Sequence, residues 1–228
     1  MKDPSDERTQ IGMLTIGQSP RTDVISDINN ILGSNVEIIE CGALDGLSLE
    51  EIKKLEPSSI GEYVLVTRLQ DGTEVKVSRE KIIARMNQCL KKLEKRSKIV
   101  IILCTGNFPE FHPQKLLIEP SNLICSVVQS LLPKGRLGVL IPTPEQAQAI
   151  ASKWKREGIT LKIQALSPYQ DTKTETVQEI ANRFKDCDLI VLDCMGYTKR
   201  IGDLIKTMTG IPVIVSKTLV ARIVRGLI

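Results

Sequence analysis

Two short aliphatic runs, Ile99-Val100-Ile101-Ile102-Leu103 and Leu189-Ile190-Val191-Leu192, constrain this chain most. Both are rich in β-branched residues and bounded by polar or turn residues, as central strands of a parallel sheet are. Parallel strands need long crossover connections, and segments with helical apolar spacing alternate with strand-like runs along nearly the whole chain. A cysteine closes each run: Cys104 follows Leu103 directly, and Cys194 follows Leu192-Asp193. In open α/β sheets ligands bind beyond the carboxyl ends of the strands, so both thiols are expected to face a cleft.

The pattern predicts strands over 11–16, 36–40, 99–104, 136–141, 161–166, 189–194 and 211–215. Helices are predicted from the apolar spacing of Val24, Ile25, Ile28, Ile31 and Leu32, and over 48–55, 78–95, 120–132, 144–156, 172–185, 199–208 and 217–227. Ser48 with Glu51 has the form of a capping box. Runs at 63–69 and 73–77 flank Asp71-Gly72, a hairpin signal. The series strand, helix, strand, helix, cysteine-ended strand occurs twice. The expected fold is therefore α/β, with two pseudo-symmetric lobes, mostly parallel sheets and a β-hairpin inserted in the first lobe. The lobes are placed at 11–133 and 134–228, with terminal elements exchanged between them, after a flexible segment over 1–10.

Hydrophobic residues make up 42% and charged residues 25% of the 228 residues, which is ordinary for a globular protein with a real core. Aromatics are only 3% and the net charge is +4, which argues against stacking platforms and against nucleic acid as a partner. No apolar run reaches membrane-spanning length, and the polar start MKDPSDERTQ lacks a signal peptide's apolar stretch. There is one histidine, His112, and no CxxC, so a zinc site is not expected. The six cysteines read as reduced thiols of a cytoplasmic protein. Cys89, Cys125 and Cys187 read as structural, and Cys41, after its own strand, as packing.

A thiolate is a fair base and a thiol a fair acid near neutral pH. Two of them across a substrate can take a proton from a carbon beside a carboxylate and return one to the opposite face, without a metal. The alternative is that each is a small buried hydrophobe at a strand end. Around Cys104 and Cys194 the candidate substrate contacts are Thr105, Asn107, Tyr197 and Thr198. The loop Gly17-Gln18-Ser19-Pro20-Arg21-Thr22 ends the first strand and opens a helix, where Ser19, Arg21 and Thr22 can hold an anion. It lacks the Gly-Lys-Ser/Thr of a P-loop. Thr143, its counterpart, also reads as an ordinary N-cap. Lys217 reaches either the cleft or solvent, and His112 reads as solvated. Asp193 should point to the opposite side of its strand from Cys194.

Leu14-Thr15-Ile16-Gly17-Gln18-Ser19-Pro20-Arg21, Glu119-Pro120-Ser121, Gly138-Val139-Leu140-Ile141-Pro142, Leu192-Asp193-Cys194-Met195-Gly196-Tyr197 and Pro212-Val213-Ile214-Val215-Ser216 closely resemble the AroM family over nearly the whole chain. The strand-end cysteines are similar to those of the aspartate/glutamate racemase superfamily, whose two pseudo-symmetric lobes carry cofactor-independent two-base chemistry. That superfamily's Cys-Asn-Thr and Gly-Cys-Thr are here Cys104-Thr105-Gly106-Asn107 and Asp193-Cys194-Met195-Gly196-Tyr197-Thr198. The resemblance implies a racemase or epimerase of a small carboxylate or amino acid, with Cys104 and Cys194 as acid/base residues and no cofactor or metal. The rivals are a lyase or decarboxylase on the same scaffold and a non-catalytic binder of an aromatic-pathway metabolite. The expected partners are that small ligand and further copies of the chain.

Overall fold

A computed structural model describes residues 8–59 and 61–228. Two four-stranded sheets, parallel throughout, form its frame. The first contains β1 (Thr9–Thr15), β2 (Val36–Gly42), β5 (Ile99–Ile102) and β6 (Leu116–Ile118), in the order β2-β1-β5-β6. The second contains β7 (Gly135–Ile141), β8 (Ile159–Ala165), β9 (Leu189–Leu192) and β10 (Val213–Val215), in the order β8-β7-β9-β10. The two orders are the same: the first strand of each series sits inside, its second on one flank, its third and fourth on the other. The two cysteines thus follow topologically equivalent strands, β5 and β9.

Helices fill the crossovers: α1 (Thr22–Leu32), α2 (Leu49–Lys53) and α3 (Arg79–Glu94) before β5, and α4 (Pro120–Leu131) after β6. In the second series α5 (Ala147–Trp154), α6 (Thr174–Phe184), α7 (Lys199–Thr209) and α8 (Ser216–Arg225) do the same. The capping box at α2 is formed in both directions between Ser48 and Glu51. The hairpin of β3 (Val64–Arg68) and β4 (Glu74–Ser78) is a separate antiparallel sheet turning at Gly72, whose φ of 94° suits glycine. It has no counterpart in the second series.

Several expectations need correction. The first strand begins at Thr9, because Thr9 and Gln10 already pair with Val36 and Glu37, so the segment expected to be flexible over 1–10 ends earlier. The rest of that expectation, residues 1–7, lies outside the described residues. The three-residue strand β6 was not expected at all. The segment 144–156 opens with a 3-10 turn at Pro144–Gln146 before α5 begins. Cys41 and Cys89 are not reduced thiols: they form a disulfide, because α3 packs on β2 and brings their Cα atoms to 5.5 Å.

One apolar core runs through both series. Ile11, Met13 and Ile101 of the first sheet share it with Leu137, Val139 and Val191 of the second, and with α1, α4, α5 and α8. The last helix returns to the first series: Val220, Ala221 and Val224 join Val24, Ile28 and Leu32 of α1 in that core. Lys217 of α8 is fully buried and pairs with Asp27 of α1 at 2.7 Å, so it reaches neither cleft nor solvent. Among the described residues no helix is long and apolar enough to cross a membrane.

Candidate active site

β5 and β9 end in turns of the same form, Cys104-Thr105-Gly106 and Cys194-Met195-Gly196. In the first the Gly106 N–H donates to Cys104 Sγ at 3.2 Å; in the second the Gly196 N–H donates to Cys194 Sγ at 3.3 Å. Such bonds favour the thiolate. A side chain on either glycine would force a neighbouring side chain to give way. A Cβ on Gly106 would stand 3.0 Å from Leu65 Cδ2, and one on Gly196 would stand 2.8 Å from Tyr169 Cε1.

Both cysteines line a single cavity of about 20 Å³, room for about one water molecule. The turns contribute Cys104, Thr105, Gly106, Asp193 and Cys194, while the chain after β7 contributes Pro142, Gln146, Ala149 and Ile150. Leu65 and Val66 of the hairpin, with Tyr63 just before it, complete the wall. Burial pushes the Cys104 thiol up to about 12, with Cys194 as a further cause against the Gly106 N–H. Burial also raises Cys194, opposed by the Gly196 N–H, by Tyr169 and by Arg21. With the cavity closed, both cysteines are neutral thiols at pH 7; beside the glycine N–H on each sulfur, Lys153 favours ionisation of Cys104, and Tyr169 and Arg21 favour ionisation of Cys194.

A buried ion pair ties the two turns together. Lys153 of α5 donates to both Asp193 carboxylate oxygens at 2.9 Å and to the Thr105 carbonyl at 3.0 Å. The Trp154 indole N–H donates to Asp193 Oδ2 at 2.7 Å, and the Thr105 hydroxyl donates to the Asp193 carbonyl at 3.0 Å. The Asp193 side chain therefore lies on the Trp154 side of its strand, away from the apolar cluster that holds Cys194, as strand alternation requires.

Of the sequence-based candidates, the structure brings Cys104, Thr105 and Cys194 to the cavity and places the others elsewhere. Ser19 donates its hydroxyl to Asp45 at 2.7 Å, and the same carboxylate takes the Ser19 N–H. Arg21 is almost fully buried and bound by Asp23 through Nε at 2.9 Å and Nη2 at 2.8 Å. It is not a free anion receptor, though its Nη2 also reaches the Tyr169 hydroxyl at 3.3 Å, which lies 4.0 Å from Cys194 Sγ. Thr22 starts α1 in solvent. Asn107 and His112 are exposed. Thr143 does not cap its turn but bonds Glu145. Tyr197 is core, its hydroxyl donating to the Leu166 carbonyl at 2.7 Å, and Thr198 caps α7; both line a neighbouring groove. Cys41 lies in the disulfide, half-buried against the core under α3.

The sequence matches the family described as AroM protein over residues 11–228. The chain belongs to the AroM family. No curated protein matches this AroM sequence. Among solved structures it is similar to the Picrophilus torridus aspartate racemase, at 18% identity and a TM-score of 0.62 over 93% of this chain and 91% of that one. It is similar to the Nocardia farcinica maleate cis-trans isomerase, at 14% identity and a TM-score of 0.63 over 96% and 92%. It is also similar to an arylmalonate decarboxylase, at 14% identity and a TM-score of 0.59 over 96% and 91%. At such identities the likeness establishes the fold, and the expected racemase-like α/β architecture stands.

Proposed function

We propose that this AroM protein is a cofactor-independent racemase or epimerase of a small carboxylate, with Cys104 and Cys194 as paired acid and base. The observation that carries the reading is that two thiols on equivalent strand ends face one cavity, each with a glycine N–H on its sulfur. In the proposed step one sulfur enters as thiolate and takes the proton from the carbon beside the carboxylate. The electron pair left behind delocalises into the carboxylate. The opposite thiol then gives its proton to the other face of that carbon and becomes the thiolate. Once the cavity opens to water, Tyr169 and Arg21 favour the Cys194 thiolate and Lys153 favours the Cys104 thiolate, so each cysteine can enter as the base for one enantiomer. Fold likeness to a racemase, an isomerase and a decarboxylase supports chemistry of this class by analogy.

The experiment is proton exchange in D2O, followed by NMR across a panel of chiral carboxylates and amino acids. Exchange at the carbon beside the carboxylate, with loss of optical activity, is the expected result. Release of carbon dioxide without racemisation would identify a decarboxylase. Ligand binding without exchange of any member would leave a binding protein.

A further inference from the structure

An organic acid needs more room than the cavity between the cysteines gives, so it enters an opened form, where wall groups with hydrogen bonds to spare meet it. Most polar side chains of the wall are already engaged. The Thr105 hydroxyl is given to the Asp193 carbonyl, and the Asp193 carboxylate is held by Lys153 and Trp154. Gln146 Nε2 donates to the Val64 carbonyl at 3.0 Å. Beyond the two thiols and the second N–H of Gln146, the free side-chain donor of the wall among the described residues is the Tyr63 hydroxyl.

That hydroxyl is built into the Cys104 turn. Burial pushes it up to about 12, Cys104 and Asp193 push the same way, and the Asn107 N–H and Arg79 oppose them. It is a neutral, proton-bearing phenol at pH 7, close enough to Cys104 to feel its charge. Arg79 lays its guanidinium 4.8 Å from the Tyr63 ring centroid, donates through Nη1 to the Asn107 carbonyl at 3.1 Å, and pairs through Nη2 with Glu80. Tyr63 and Arg79 thus both hold the chain just after Cys104. The Arg79 Nε–H is buried without a partner among the described residues, so the Tyr63 ring shares with the Asn107 carbonyl and Glu80 in fixing the guanidinium. Cys194 has a similar neighbour pair, with Arg21 5.5 Å from the Tyr169 ring centroid. There the hydroxyl is already engaged, by Arg21 at 3.3 Å and beside Cys194 Sγ at 4.0 Å.

We infer that Tyr63 donates a hydrogen bond to the substrate carboxylate when the adjoining carbon stands at Cys104, and that Arg79 holds the ring in position for it. The inference rests on the carboxylate reading given above. Tyr63 is then a catalytic residue, because its bond strengthens as the electron pair of the reacting carbon delocalises into the carboxylate. Arg79 is a positioning residue. The test compares alkylation by iodoacetate and by iodoacetamide at pH 9, read by peptide mass. In both, the thiolate displaces iodide from a methylene carbon, but iodoacetate alone carries a carboxylate beside that carbon. The ratio of the two rates cancels cavity opening and thiolate population, which are what a merely structural role would change. At Cys104 the iodoacetate-to-iodoacetamide ratio is expected to exceed that of the urea-unfolded chain. Tyr63→Phe, which keeps the ring beneath Arg79, should lower it about tenfold, the worth of one hydrogen bond to a charged group, with the Cys194 ratio unchanged. Arg79→Met should lower it several-fold. A raised ratio that survives Tyr63→Phe, or one that falls equally at both cysteines, would overturn this inference and leave the carboxylate reading intact. A parent ratio no higher than the unfolded chain's at either cysteine would overturn both.

Discussion

Lys153 offers the sharpest test of how the site is built. Its side chain is one-tenth exposed and the Asp193 side chain it holds is fully buried. Lys153→Met keeps the stem and removes the charge, leaving the carboxylate with only the Trp154 N–H among the bonds it now accepts. Removing one partner of a buried pair costs about 3–5 kcal/mol, because the other charge stays buried and unpaired. For a chain of this size that is a fall in Tm of roughly 10 °C. Asp193→Asn keeps an acceptor for Trp154 and removes the opposing charge. In the double variant Lys153→Met, Asp193→Asn no charge is stranded, and at least about 2 kcal/mol should return. Urea unfolding of all four proteins closes the cycle. A loss below about 1 kcal/mol in Lys153→Met, or a double variant no better than the sum of the singles, would refute the argument that this pair holds the two turns in register.

Four further outcomes follow from the same geometry. Given a substrate, Cys104→Ser and Cys194→Ser should each abolish full racemisation while retaining α-proton exchange of opposite enantiomers; equal loss without that asymmetry points to a single shared step. Tyr169→Phe removes a hydroxyl that favours the Cys194 thiolate, so the pH profile of Cys194 alkylation should move to higher pH while that of Cys104 stays in place. Burial holds Cys104 near 12 against an ordinary value of 9.0. The unfolded chain then releases its proton first, and stability should fall as pH rises from about 9, by up to about 1.4 kcal/mol per pH unit for that thiol; urea midpoints flat between pH 9 and 11 would contradict this. Thiol titration of the unreduced, unfolded protein should count the four free cysteines and not Cys41 or Cys89. Closing a loop across a separation of 48 residues is worth about 4 kcal/mol in the chain-entropy model, so reductant should lower the Tm.

The sheet frame was legible because buried parallel strands must be aliphatic, short and separated by amphipathic crossovers, and β5 and β9 satisfy all three. β6 escaped because Leu116–Ile118 is three residues long, half-exposed and set between loop residues, so it carries no period to read. The cysteine pair was legible from its place in a repeated series. Its surroundings were not, because they are made by contacts between distant positions: Arg21 with Tyr169, Lys153 with Thr105, Leu65 with Gly106. Arg21 and Ser19 misled for a nearer reason. Each already has a carboxylate of its own, and Asp23, two residues from Arg21, was a visible sign that the guanidinium would be taken. The Cys41–Cys89 bond was hidden because strand-on-helix packing, not spacing, brings the two residues together.

The return of α8 to α1 sets an order of events during synthesis. Leu32 is made 188 residues before Val220, and at ribosomal rates that interval is roughly 10–40 s. For that time Val24, Ile28 and Leu32 lack the residues that cover them in the finished molecule. The amino-terminal half of the nascent chain therefore presents an uncovered apolar helix face to whatever binds such surfaces, and it can complete its own core only once the opposite end of the chain has been made.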